Sequence, residues 1–121
     1  MLDLNSLLLF SEVPQKLVDF YRKVLAREPK WQEEEYSGFE IGAGALVIGP
    51  HSKVHGQSKN PERIIFNFET SEVKSEFERM KGLGAKVIAE PYSMGDDKDF
   101  LIATLADPDG NYFQLMSPMK S

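Results

Sequence analysis

ATLADPDGNYFQLMS, residues 103–117, reads as two strands joined by one tight turn. Asp107, Pro108 and Gly110 occupy positions i, i+1 and i+3 of that turn. An acceptor side chain, a fixed backbone angle and a residue without Cβ suit type I geometry in that order. The flanking segments, residues 100–106 and 111–116, have the length and β-branched or aromatic content of strands. Upstream lie a loop at residues 95–99 and a further strand at residues 86–90. Before these, Val73, Phe77 and Met80 recur at helical spacing, with Thr70 or Ser71 as N-cap and Gly82 and Gly84 as stop signals. Residues 63–69 read as the strand that opens the unit, so the second half of the chain has the order βαβββ.

The first half repeats that order. NSLLLF, residues 5–10, has strand length, and Pro14 opens a helix through residue 26, carrying Leu17, Phe20, Tyr21, Val24 and Leu25 at helical spacing. Strands are expected at residues 31–36, 39–42 and 45–48, divided by Ser37-Gly38 and Ala43-Gly44. A shift of 56 places Leu17, Tyr21 and Val24 on Val73, Phe77 and Met80, whereas a shift of 57 aligns Pro14 with Ser71, so the register between halves stays open by one residue. An internal repeat of this kind decides fold class before any single motif does. The expectation is an α+β chain of one domain, residues 1–121, built from modules 1–58 and 61–121. The polar stretch GPHSKVHGQSKNPE, residues 49–62, is expected to link them.

Composition narrows function by exclusion. At 121 residues, 41% apolar and 27% charged, the chain is an ordinary globular domain rather than a disordered or fibrous one. A net charge of −5 with no dense Lys/Arg cluster argues against nucleic acid as a partner. No apolar run approaches a membrane span, and MLDLNSLLLF lacks the basic start and cleavage site of an export signal, so a cytoplasmic protein with no membrane partner is expected. The absence of cysteine removes disulfides, thiolate nucleophiles and thiolate-bound zinc.

FYRKVLA at residues 20–26, Glu90-Pro91, and DPDGNYFQLM at residues 107–116 together resemble the vicinal oxygen chelate superfamily, the group of glyoxalase I, bleomycin-resistance proteins and extradiol dioxygenases. The resemblance implies paired βαβββ modules forming curved mixed sheets around a cavity, with helices on the outer face, and a homodimer. In metal-dependent members the ligands come from the first and last strands of each module and are His, Glu or Gln. Carried over, those positions hold Ser6 (or Asn5), Ile48 (or Val47), Arg63 and Gln114, the last standing four residues after Gly110. Arginine has no lone pair to donate, and isoleucine has no donor at all. The expectation is therefore no cofactor and no family metal, with a divalent metal ion as the alternative.

Strand alternation sorts the faces. If Gln114 faces the implied cavity, Tyr112 and Met116 join it while Phe113 and Leu115 turn to the helix. By the same rule Arg63, Ile65 and Asn67 face in while Ile64, Phe66 and Phe68 pack, and in the first strand Ser6, Leu8 and Phe10 face in while Leu7 and Leu9 pack. Phe100, Ile102 and Thr104 complete the inward set. The candidate ligand-binding residues are Ser6, Phe10, Trp31, Arg63, Asn67, Tyr92, Phe100, Tyr112 and Gln114, with no catalytic residue assigned. Arg63 suits a carboxylate or phosphate, or else pairs with Glu62 or Glu69. Aromatics such as Trp31 and Tyr92 suit stacking of a flat ligand or ordinary packing.

Three further groups read as ordinary surface: His51 and His55 in the linker, Glu33, Glu34 and Glu35 on an edge strand, and Asp96, Asp97 and Asp99 in a solvated turn. The functional expectation is a glyoxalase/bleomycin-resistance-type protein that binds or sequesters a partly aromatic or anionic small molecule, as in antibiotic resistance. The alternative is a metal-dependent glyoxalase-like lyase or isomerase, or a dioxygenase, with a rearranged site.

Overall fold

Pro14 opens the first helix at the position where a missing N–H costs nothing, directly behind a strand whose last residue, Ser11, accepts a hydrogen bond from the Val13 N–H at 3.0 Å. The computed structural model describes residues 1–93 and 95–119 and divides into two units, Met1–Gly56 and Gln57–Ser121.

The first unit comprises β1 (Ser6–Ser11), α1 (Pro14–Val24), β2 (Trp31–Glu33), β3 (Tyr36–Ile41) and β4 (Gly44–Pro50). Its mixed sheet has the order β1-β4-β3-β2, with β1 and β4 parallel and the other pairs antiparallel. Leu17, Val18, Tyr21 and Val24 form the buried stripe of α1, and Phe39, Leu46 and Ile48 form the sheet face buried with them. Partners across the ladders share a face, so Leu7 and Leu9 belong to this core side with Leu46 and Ile48.

The second unit comprises β5 (Phe66–Glu69), α2 (Val73–Gly82), β6 (Lys86–Ser93), β7 (Leu101–Ala106) and β8 (Tyr112–Met116). Its order is β5-β8-β7-β6, again with the first and last strands parallel. Val73, Phe77 and Met80 bury the helix face, and Ala103, Leu105, Phe113 and Leu115 are the buried side chains of the matching sheet face. Phe66 and Phe68 close this core with ring contacts to Phe113 at 6.2 and 5.8 Å. Pro91 lies in β6, an edge strand where a missing N–H is tolerated, and the pairing of β6 shifts register between Val87 and Tyr92. Neither four-stranded sheet closes on itself.

The repeat is thus real, but no single shift describes it. Leu7 and Leu9 correspond to Phe66 and Phe68, an offset of 59, the helices keep 56, and Leu46 and Ile48 correspond to Phe113 and Leu115, an offset of 67. The second unit is three residues shorter between its first strand and its helix and eleven longer between its helix and its closing strand, from the offsets of 59, 56 and 67.

Several boundaries differ from the sequence reading. Ser37 and Gly38 do not divide strands; they lie inside β3, and the chain reverses at Glu34 and Glu35 instead. Gly38 serves close approach rather than turning, since a Cβ there would stand 2.3 Å from the Trp31 indole. The strand expected from residue 63 begins at Phe66, because the Arg63 N–H closes a turn onto the Asn60 carbonyl at 3.1 Å. The N-cap of α2 is Glu72, and Thr70, two residues earlier, accepts from the Glu72 N–H through Oγ1 at 3.0 Å. The expected linker loses Gly49 and Pro50 to β4, whose ladder with β1 runs on to Ser11 and Pro50.

The DPDG turn forms as read. The Gly110 N–H donates to the Asp107 carbonyl at 2.9 Å, and Gly110 takes φ +81°. Buried Asp107 accepts from the N–H groups of Asp109 and Asn111 at 2.9 and 3.0 Å. Gln57 Nε2 donates to the Pro108 carbonyl and the Ser58 N–H to that of Asp109, both at 2.8 Å, fastening the start of the second unit to its final turn.

Candidate functional site

Opposite α2, the ladders place Asn67, Gln114, Thr104 and Ala89 in one row across the second sheet, with Met116, Ile102 and Tyr92 in the next and Tyr112 beside Ala106 in a third. Four of the candidate residues, Asn67, Tyr92, Tyr112 and Gln114, therefore share one helix-free face. Gln114 Nε2 donates to Thr104 Oγ1 at 3.1 Å, and Thr104 is buried. One of the two amide N–H donors is used inside the protein, which leaves the other and the carboxamide oxygen for an incoming group. Strand alternation places Thr104 inward, but its part in fixing Gln114 has no signal in the sequence.

Arg63 lies outside this row. It precedes β5 and is exposed, so strand alternation does not fix its direction, and the expected partly buried guanidinium is not found. Among the described residues it pairs with neither Glu62 nor Glu69. Phe100 is half-buried immediately before β7, where its N–H donates to the Asp97 carbonyl at 3.2 Å.

In the first unit the helix-free face carries Ser6, Leu8 and Phe10 on β1, Ala45, Val47 and Gly49 on β4, Tyr36, Gly38 and Glu40 on β3, and Trp31 and Glu33 on β2. Trp31 lies over Gly38 and Tyr36 over Gly49, each so closely that a Cβ on the glycine would come within 2.3 Å of the ring. Trp31, Tyr36, Glu33 and Glu34 line an open cleft of about 400 Å³. A second cleft of about 230 Å³ on the other side of Trp31 reaches Asn5, Lys30 and Glu40. The sequence reading leaves Tyr36, like Phe39, between ligand stacking and ordinary packing, and places the two glutamates on an ordinary edge strand. The available signal was the spacing of aromatics opposite glycines in adjoining strands. Phe39, in contrast, is core.

The linker histidines are less free than their setting suggested. The His51 ring packs edge-on against Phe10 at 5.2 Å, and its Nδ1 accepts from the Lys53 N–H at 3.1 Å. His55 Nδ1 stands 3.3 Å from Glu12 Oε2, and the Gly56 N–H donates to Glu12 Oε1 at 3.2 Å. The Gly56 N–H first, and then His55, hold the Glu12 carboxyl below the usual carboxylate range.

The residues at the family's metal positions include no carboxylate and no imidazole. Ile48 is fully buried against α1, Arg63 repels a cation, Ser6 offers a neutral hydroxyl and Gln114 one neutral oxygen. Among the described residues, no group of three or more His, Asp or Glu side chains is placed to hold a metal ion. Nor is any described helix long and apolar enough to cross a membrane.

Two βαβββ units, each a four-stranded mixed sheet with one helix, define the class: an α+β protein of the glyoxalase fold. The model of the glyoxalase-like domain family matches residues 7–116, and the chain belongs to that family. No curated protein matches it in sequence. Among solved structures it is similar to a glyoxalase-related enzyme from Fulvimarina pelagi, with TM-score 0.79 and 15% identity over 98% of this chain and 89% of that one. A glyoxalase/bleomycin resistance protein/dioxygenase family enzyme from Burkholderia phytofirmans PsJN gives TM-score 0.77 and 20% identity over 98% and 100%. A structure described only as a conserved domain protein gives 0.78 and 23% over 98% and 100%. At these identities the likeness establishes the fold alone.

Proposed function

We propose that this protein binds or sequesters a partly aromatic or anionic small molecule on the helix-free sheet faces, without the family metal. The observation that carries the reading is Gln114. At the closing-strand position, where metal-dependent members of the family usually carry a glutamate, stands a neutral amide, tethered to a buried threonine and sharing its face with Asn67, Tyr112 and Tyr92. A mostly apolar or aromatic surface with a few fixed polar groups orients a ligand without transforming it. Catalysis would further require a placed base or electrophile on this face. Arg63, exposed at the entrance to β5, supplies the charge complement for an acidic ligand. Phe100 completes the proposed contacts in the second unit, Ser6 and Phe10 are the proposed contacts on the helix-free face of the first, and the working form is a cytoplasmic homodimer acting by capture, as drug-binding resistance proteins do.

The test combines metal analysis with a thermal-shift screen of aromatic acids and polycyclic compounds. A ligand at about a hundred times its Kd raises stability by about 2.7 kcal/mol. Gln114→Ala should remove most of that gain while leaving the unliganded Tm within a few degrees. One tightly held divalent ion per chain, lost in Gln114→Ala, would overturn the reading.

A further inference from the structure

The cleft beside Trp31 has a different chemistry from the row around Gln114, and its assignment does not depend on the proposal above. Two of its walls are aromatic and two are carboxylates. Each ring rests on a glycine with no room for even a methyl group between, so the strands fix where the rings lie. Their outer sides remain open: Trp31 is 42% exposed and Tyr36 37%. Covering bare glycines explains why a sheet would carry the rings. It does not explain the acidic residues between them.

Glu33 is the ladder partner of Tyr36, and Glu34 follows at the reversal. Among the described residues neither carboxylate has an ion-pair partner. The nearest lysine along the chain, Lys30, is held by Glu40 on the other side of Trp31. Glu34 also takes φ +55°, a backbone region in which glycine or asparagine costs less. A residue optimised for the turn alone would not be glutamate.

Aromatic faces attract a cation through the negative potential above the ring, and nearby carboxylates add to that attraction. The rings favour an organic cation over a hydrated metal ion, because alkyl groups around the charge shed water readily and fit an apolar wall. A cleft of about 400 Å³ suits a small molecule. We propose that Trp31, Tyr36, Glu33 and Glu34 form a binding site for a small organic cation of the alkylammonium class.

The full chain can report on this directly, since Trp31 is its sole tryptophan and gives a single indole N–H resonance. Choline chloride and its uncharged isostere 3,3-dimethylbutan-1-ol are titrated at constant ionic strength and pH 7. Choline should shift the Trp31 indole resonance saturably with a millimolar Kd, and the neutral alcohol should bind at least about fivefold more weakly. The Glu33→Gln/Glu34→Gln double variant should lose about fivefold in choline affinity while its alcohol affinity stays unchanged.

Glu34→Gly separates binding from folding: it should keep or raise the Tm, because glycine relieves the positive φ, and still weaken choline binding about twofold. Equal affinity for the two probes, no saturation up to about 100 mM choline, or wild-type choline affinity in the double glutamine variant would each overturn the assignment.

Discussion

The two units share a core and differ on the other side of it. In each, one helix buries three matched residues, Leu17, Tyr21 and Val24 in the first and Val73, Phe77 and Met80 in the second, against a sheet whose outer strands run parallel. The helix-facing pairs Leu7 with Leu46 and Leu9 with Ile48 recur as Phe66 with Phe113 and Phe68 with Leu115. Turned over, the sheets have little in common. The first shows aromatics seated on glycines and edged with glutamates; the second shows an amide-hydroxyl pair flanked by Asn67 and tyrosines. Packing constrains one face of a duplicated sheet and leaves the other free to diverge, so the repeat describes the scaffold and says little about chemistry.

The comparison breaks first if the cores are not equivalent. Phe39→Ala and Phe113→Ala each remove a fully buried ring and should each cost about 3–5 kcal/mol in denaturant unfolding. A loss several-fold smaller in one unit would show that its core is not an equal copy.

The faces come next. Gly49→Val places side-chain atoms where the Tyr36 ring lies and should cost about 1–3 kcal/mol, with part of the loss recovered in Gly49→Val/Tyr36→Ala, a double-mutant cycle that reads the seat directly. In the second unit Thr104→Val removes the acceptor of the Gln114 amide and should cost about 1 kcal/mol, visible as a lower urea midpoint with unchanged slope.

The smallest effect concerns pH. Glu12, exposed, has its carboxyl held below the ordinary range, so its contribution is present above the unfolded carboxylate pKa and is lost as pH falls through the folded value. Glu12→Gln should therefore flatten the fall in Tm between about pH 5 and pH 3 and leave the Tm at pH 7 little changed. An unaltered acid limb would show that the clasp with Gly56 and His55 contributes nothing.

Periodicity made the helices, the repeat and the closing hairpin legible, because a buried face writes its period into the sequence. The DPDG turn was legible for a local reason: each residue meets a separate demand of one backbone geometry. Glycine was the residue that misled. It marks a turn when it supplies a positive φ, as at Gly42 and Gly110, and a close approach when it supplies only the absence of a Cβ, as at Gly38 and Gly49. The letter is the same, and only the three-dimensional partner separates the two uses. Reading Ser37-Gly38 as a break moved the hairpin and hid the relation between Trp31, Tyr36 and the glutamates. Arg63 was misplaced for a related reason, since a turn bonded to Asn60 interrupts what alternation alone reads as continuous strand. The facing of Gln114 and Asn67, by contrast, followed from parity once the closing strand was placed.

The fastening of Gln57 and Ser58 to the final turn sets an order of events during synthesis. Every strand of the first unit exists once residue 50 has been made, and its parallel pair can close behind the ribosome. The second unit begins with a segment whose hydrogen-bond partners, Pro108 and Asp109, are made about fifty residues later, and β5 has no neighbour until β8 emerges. Its edge strand and linker must wait unpaired through most of the unit's translation, so vectorial folding is staged by halves, and the second half is committed only when its last strand arrives.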